Sequence, residues 1–122
     1  MRAVKGRNTK PETALRRALF RRGYRFRLHG ALPGRPDIVF PARRAVIFVH
    51  GCFWHGHSCA RGSRAPKTNA DYWRKKIARN ITRDRDARAA LKRLGWRALV
   101  VWECRLKDLD RAAERASKWL DR

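Results

Sequence analysis

The sequence predicts an α+β fold: a helix leads into a three-stranded antiparallel meander, a long crossover helix returns the chain to a fourth strand parallel to one of the meander, and a last helix follows. Three observations carry that expectation. Apolar residues recur at helical spacing in three separate stretches, short apolar or alternating runs lie between them, and Gly- and Pro-rich turns divide the segments. At 122 residues the chain has the length of a single domain, residues 1–122, and no internal repeat suggests an array.

The elements follow in order. Thr9-Lys10-Pro11-Glu12 has the form of a capping box with Pro in the first turn, and Leu15, Ala18 and Leu19 supply an apolar stripe, so the first helix is expected from about 10 to 22, ended by Gly23. Tyr24-Arg25-Phe26-Arg27-Leu28 alternates apolar and basic residues as a half-buried strand does. Leu32-Pro33-Gly34-Arg35-Pro36 is turn chemistry, and Asp37-Ile38-Val39-Phe40 restarts a strand. After a second turn at Pro41-Ala42-Arg43-Arg44, the run Ala45 to Val49 reads as a central, fully buried strand that ends at His50-Gly51. A long aperiodic stretch to about 69 comes next. Asn69 is the expected N-cap of a helix running to Leu94 and closed by Gly95; Arg97 to Glu103 is a further buried strand. From about Asp108, a final helix carries Leu109, Ala112, Ala113, Ala116 and Leu120 on one face.

Charge narrows the function. The chain has 32 Lys and Arg against 10 Asp and Glu, a formal net charge of +22, yet it is 43% hydrophobic and includes five Trp and five Phe. That composition folds, and its field calls for a polyanionic partner, nucleic acid before anionic membrane. No apolar run has the length of a membrane span, and the first residues hold no signal-peptide stretch, so a cytoplasmic protein is expected. Three cysteines, two of them in one short His-containing segment, point to metal binding in a reducing compartment.

Cys52, His57 and Cys59 follow one buried strand, and Cys104 follows another. Such a Cys3His set can close a tetrahedral Zn²⁺ site that pins the long loop and contributes folding energy. The rival reading is that the thiols are buried apolar groups and His57 a loop histidine. A second cluster is chemical. If the two middle strands pair as a meander, Asp37 at the start of one meets His50 at the end of the next; His55 follows, and Glu12 can supply a second acid. A carboxylate beside imidazoles on a basic surface suits phosphodiester hydrolysis, with an oxygen ligand for Mg²⁺ and a group to orient or deprotonate water. Each also has a structural reading: Glu12 in the capping box, Asp37 as a turn aspartate, His50 as a strand terminus.

On the long helix, Trp73, Ile77, Ala87 and Leu91 define the inner face, yet Asn80 and Asp84 fall along the same stripe, where they either bond within the core or reach the site and the substrate backbone. Phe53 and Trp54 beside the proposed ligands, with Trp73 near them, either pack under the zinc loop or stack on bases and wedge into a base step. Scattered cations such as Arg16, Arg17, Arg74 and Lys75 suit phosphate or solvent rather than base edges.

The sequence resembles the very short patch repair (Vsr) family of DNA mismatch endonucleases from about Met1 to Leu106. The resemblance is carried by Asn8-Thr9-Lys10-Pro11-Glu12, by Leu32 to Asp37, by Val46-Ile47-Phe48-Val49-His50-Gly51-Cys52-Phe53-Trp54-His55, by Tyr72-Trp73 through Asn80 to Arg83-Asp84, and by Gly95 to Cys104, of which the third block is the most specific. It implies a restriction-endonuclease-like core, a structural zinc held by Cys52, His57, Cys59 and Cys104, and Mg²⁺-dependent nicking of one strand beside a T·G mismatch, the product of 5-methylcytosine deamination. By the same match Asp37 is the metal-binding carboxylate and Val49 offers its main-chain carbonyl; family members often carry Thr there, a difference that is harmless if the carbonyl is the ligand. His55 with Glu12 would position or activate water, His50 would assist at the scissile phosphate, and Phe53, Trp54 and Trp73 would intercalate next to the mismatch. A bacterial cytosolic monomer, linked in function to a DNA cytosine methyltransferase, is the corresponding expectation. The family's N-terminal arm is almost absent from this sequence, which predicts reduced affinity or specificity. Two rivals remain: a non-catalytic zinc-containing nucleic-acid-binding module, and a related nuclease cutting unmismatched or modified DNA.

Overall fold

A computed structural model describes residues 10–28, 30–52 and 69–122. The elements run α1 (Lys10–Arg21), β1 (Arg27–Leu28), β2 (Ile38–Phe40), a 3-10 turn (Pro41–Arg43), β3 (Ala45–His50), α2 (Ala70–Arg93), β4 (Arg97–Trp102), a second 3-10 turn (Glu103–Lys107) and α3 (Leu109–Leu120). Strand order is β1-β2-β3-β4, antiparallel across the first two pairings and parallel between β3 and β4. The expected meander and crossover are therefore present.

Alternation along β3 builds two cores. Ala45 and Ile47 face a layer made by α1 and α3, where they pack with Leu15, Leu19, Ile38, Phe40, Ala113, Ala116 and Leu120. Val46 and Phe48 face the other way and pack with Val39 and with Leu91 of α2. Both α1 and α2 stop on the same device. Gly23 (φ +97°) follows α1, with Gly23 N–H donating to the Phe20 carbonyl and Tyr24 N–H to the Leu19 carbonyl. Gly95 (φ +85°) follows α2, with Gly95 N–H donating to Lys92 and Trp96 N–H to Leu91. These paired bonds satisfy end carbonyls around a left-handed residue, for which glycine has no steric cost.

α3 is closed at both ends by side chains. Asp108 Oδ1 accepts from the Arg111 N–H at 3.2 Å. At the other end Arg97 Nη1 donates to the Trp119 carbonyl at 2.9 Å and Arg43 Nη1 to the Leu120 carbonyl at 3.1 Å. Two cations thus complement the negative helix terminus, so part of the large positive charge is structural.

Two expectations are corrected and one is refined. The first strand shortens to Arg27–Leu28 because Tyr24 and Phe26 leave the sheet for the helical layer. Tyr24 is buried, its hydroxyl donating to Asp121 Oδ1 at 2.8 Å, and Phe26 stands edge-on to Phe40 at 5.8 Å between centroids. Burial, with the bond to Asp121 second, raises the Tyr24 pKa above 10.0. β4 is mostly half-buried rather than buried, since it is a sheet edge. Asn69 stands at the expected N-cap position of α2, but it is left-handed (φ 58°) and makes no side-chain cap bond, since side-chain capping favours extended backbone. Asn tolerates that conformation and here turns the chain into α2.

Candidate active site at the sheet rim

Strand direction gathers the chemistry at one rim. β2 begins where β3 ends, with Ile38 opposite Ile47, and β4 ends beside β3, with Trp102 opposite His50. Asp37 and His50 therefore share that rim, as the residue pattern predicted.

Asp37 is delivered by a strained and tightly fitted turn. Gly34 (φ +78°) and Arg35 (φ +49°) are both left-handed, and the Arg35 N–H donates to the Leu32 carbonyl at 2.9 Å. A Cβ on Gly34 would lie 2.7 Å from the Ala87 Cβ of α2 and 3.1 Å from the Phe48 ring, so only glycine lets the turn wedge between helix and strand. Pro36, itself buried, follows. Asp37 is then held twice: its N–H donates to the Ile47 carbonyl at 3.2 Å, and its Oδ2 accepts from the Val49 N–H at 2.6 Å. The short second bond marks a carboxylate fixed against the strand.

His50 is buried at the end of β3, with its ring between Phe48 (5.7 Å between centroids) and Trp102 (5.3 Å, edge-on). Its Nδ1 lies 3.8 Å from Asp84 Oδ2 on α2. That separation is longer than a good hydrogen bond but close enough for a carboxylate to stabilise an imidazolium and limit rotation of the ring. Asp84 was visible in the sequence only as a polar residue in an apolar stripe; the structure supplies its partner. If this rim carries the chemistry, replacing Asp84 with Asn is expected to lower kcat about tenfold to a hundredfold, the usual cost of losing a residue that orients a site group. KM and melting temperature should stay near wild type; an unchanged kcat would remove Asp84 from the mechanism.

α2 extends beyond the rim. Leu91 packs with Val46 and Phe48, and Asp84 meets His50, so residues 70–83, about 20 Å of helix, run on beyond the His50 contact. Trp73 and Asn80 lie on the half-buried stripe of this projecting part, with the Trp73 ring edge-on to Tyr72 at 5.1 Å. Arg74, Lys75 and Arg79 are exposed along it.

Glu12 opens α1, in the layer opposite α2. It is 1% exposed and paired with Arg16 Nη1 at 3.2 Å, an unusually deep position for a residue serving only as a helix cap. α1 packs along α3 and touches the Glu103–Lys107 turn that leaves the rim.

Cys52 is buried two residues beyond His50, and Cys104 half-buried two residues beyond Trp102, so the parallel register carries both out at the same rim. Among the described residues no three His, Cys, Asp or Glu side chains form a metal-holding group. Phe53, Trp54, His55, His57 and Cys59 lie outside the described residues.

Residues 1–61 match the family model described as DNA mismatch endonuclease Vsr. Among curated proteins the chain is 54% identical over 122 residues to the Type II nicking enzyme V.XorIIP of Xanthomonas oryzae pv. oryzae, an alignment covering 99% of this chain and 89% of that protein. It is 43% identical over 126 residues to the DNA mismatch endonuclease Vsr of Escherichia coli (98% and 80% covered). With the Type II nicking enzyme V.NmeAIP of Neisseria meningitidis it shares 41% over 116 residues (94% and 82% covered).

Proposed function

The chain belongs to the family of the DNA mismatch endonuclease Vsr, and on that premise we propose that it is a Mg²⁺-dependent, zinc-braced DNA endonuclease that nicks one strand at or near a T·G mismatch. The observation that carries this reading is the Asp37 carboxylate locked onto the Val49 amide at 2.6 Å, one residue before the buried His50.

The donor set fits a hard cation. In an extended strand a residue's N–H and C=O leave on the same edge, so the amide that meets Asp37 belongs to the residue whose carbonyl would join Asp37 as a ligand. When bound there, Mg²⁺ would neutralise phosphate charge and lower the pKa of water. The protein's own groups do the rest. Asp37 is positioned before substrate arrives, so no reorganisation is needed at the reacting phosphate. His50, braced by Asp84, presents a ring that can donate a proton or a positive charge to the phosphate oxygens. His55 with Glu12 is the proposed pair for orienting water; the 1% exposure of Glu12, already against Arg16, suits a carboxylate acting through a partner rather than in solvent. The projecting half of α2 would lie along the duplex, its cations on phosphates and Trp73 beside Phe53 and Trp54 at the base step, with Asn80 toward the backbone.

Incubating the purified protein with Mg²⁺ and end-labelled duplexes tests this reading. A T·G duplex should be nicked in one strand and its matched twin left intact. Equal cutting of both would move the target to unmismatched DNA. Binding without cutting would leave a non-catalytic DNA-binding module.

On this reading the protein would act as a monomer in the bacterial cytosol at the nucleoid, and a cytosine methyltransferase would supply the 5-methylcytosine whose deamination creates the mismatch. Among the described residues, no helix is long and apolar enough to cross a membrane.

A further inference from the structure

In the α1 layer, opposite α2, lies an open depression of about 310 Å³ lined by Arg16, Arg17, Phe20, Arg21 and Phe26. Phe20 is 52% exposed although its neighbour Leu19 is completely buried, so the core does not use the Phe20 ring. Phe26 meets it edge-on at 6.2 Å, and the Arg25 guanidinium lies 4.4 Å from its centroid. The result is an apolar, aromatic floor flanked by arginine residues, with the Arg25 guanidinium against Phe20. Its place is also distinct: α1 reaches β1 through residues 22–26, and β1 enters at Arg27 opposite Val39, one step further from the Asp37–His50 rim than Leu28 opposite Ile38.

We propose that this depression docks an acidic peptide segment, supplied by a partner protein, whose single apolar side chain seats on Phe20 and Phe26 while its carboxylates pair with Arg17, Arg21 and Arg25. Arg16 contributes less charge, because its Nη1 already holds Glu12 at 3.2 Å. Charge complementarity selects the occupant. A second copy of this chain, at net charge +22, would be repelled by the same arginines. A DNA duplex offers phosphates but no side chain for an aromatic floor, and a splayed base finds one face of Phe20 already covered by Arg25. An acidic segment with an apolar anchor matches both halves of the site, as central apolar contacts with a charged rim do in protein interfaces. Bound there, it would leave the rim open to substrate.

Fluorescence anisotropy with two labelled synthetic peptides tests the proposal on the full chain at about 0.15 M salt, where exposed charge alone is screened beyond about 8 Å. One peptide has a central phenylalanine among aspartates and glutamates; its twin has serine at that place. The phenylalanine peptide should bind about tenfold more tightly, on the scale of burying part of an aromatic side chain. Phe20→Ser should erase that preference, while Arg17→Glu with Arg21→Glu should weaken both peptides about tenfold or more. Duplex binding and nicking by Phe20→Ser should match wild type, since Phe20 lies outside the proposed active site. Equal binding of the two peptides by the unmodified chain would overturn the proposal, as would a preference that survives Phe20→Ser. So would a short single-stranded oligonucleotide whose affinity drops tenfold in Phe20→Ser when the peptides show no preference, which would assign the depression to nucleic acid. None of these peptide readouts depends on nicking, so failure here and failure of the nuclease reading are separable.

Discussion

Replacing Asp37 with alanine is expected to reduce nicking on the order of 10³-fold, about 4 kcal/mol of transition-state stabilisation, while affinity for the duplex changes little. Affinity comes mainly from cations on phosphates, and Asp37 is not one of them. The geometry also warns against the alanine variant alone. Asp37 Oδ2 accepts the Val49 N–H, and its removal leaves a half-buried donor at a cost of about 1–3 kcal/mol. Alanine should therefore lower the melting temperature as well. Asp37→Asn separates the two effects, because the amide oxygen can still accept from Val49 while the negative charge is gone. That variant should melt near wild type and still fail to nick. If it turned over at the wild-type rate, the carboxylate would be a structural turn residue and the hydrolytic assignment would move elsewhere.

The second large effect is on stability. Zinc bound by Cys52, His57, Cys59 and Cys104 would contribute to folding directly, and apparent binding energies of about 10–16 kcal/mol for structural zinc exceed or match the roughly 5–15 kcal/mol that holds a domain together. Strong chelation should therefore lower the melting temperature by more than about 10 °C, and Cys104→Ser should do the same with loss of metal by elemental analysis. Cys104 is the better probe. It is half-buried, whereas Cys52 is 1% exposed, and a hydroxyl in place of its sulfur would be destabilising with or without metal. Protein that contains no zinc and melts unchanged in chelator would leave Cys52 as a packed thiol at the end of β3.

Both experiments address a rim whose broad layout was legible in the residues. The apolar run from Ala45 to Val49 reads as a buried strand, and the Pro-Gly turn before Asp37 marks a reversal into its neighbour. Once those two strands pair antiparallel, the beginning of one must adjoin the end of the other, which places Asp37 beside His50. The parallel return of β4 brings Cys104 out next to Cys52 by the same logic. Helix ends were equally readable at Gly23 and Gly95, because a left-handed stop depends on a few adjacent residues.

Other features had no local signal. Nothing between Tyr24 and Leu28 shows that the tyrosine leaves the sheet to reach Asp121, almost a hundred residues away in the chain. The half-burial of β4 is a property of its edge position rather than of its apolar composition. The partner of Asp84 was hidden for the same reason. Its place on the stripe followed from helical period, but its meeting with His50 depends on how far α2 slides along the sheet, and that is set where Leu91 packs between Val46 and Phe48.

By itself, then, the chain's order of residues determined the two central strands, the helix stops, the positive field and the carboxylate and imidazole at one rim, since periodicity, glycine stops and charge act over short range. Only the tertiary structure decided that Asp84 backs His50, that Asp37 grips the Val49 amide, and that Phe20 stands exposed among arginines. Those contacts join segments whose relative register is settled by close packing of the whole core, and packing is a collective property that no local pattern encodes.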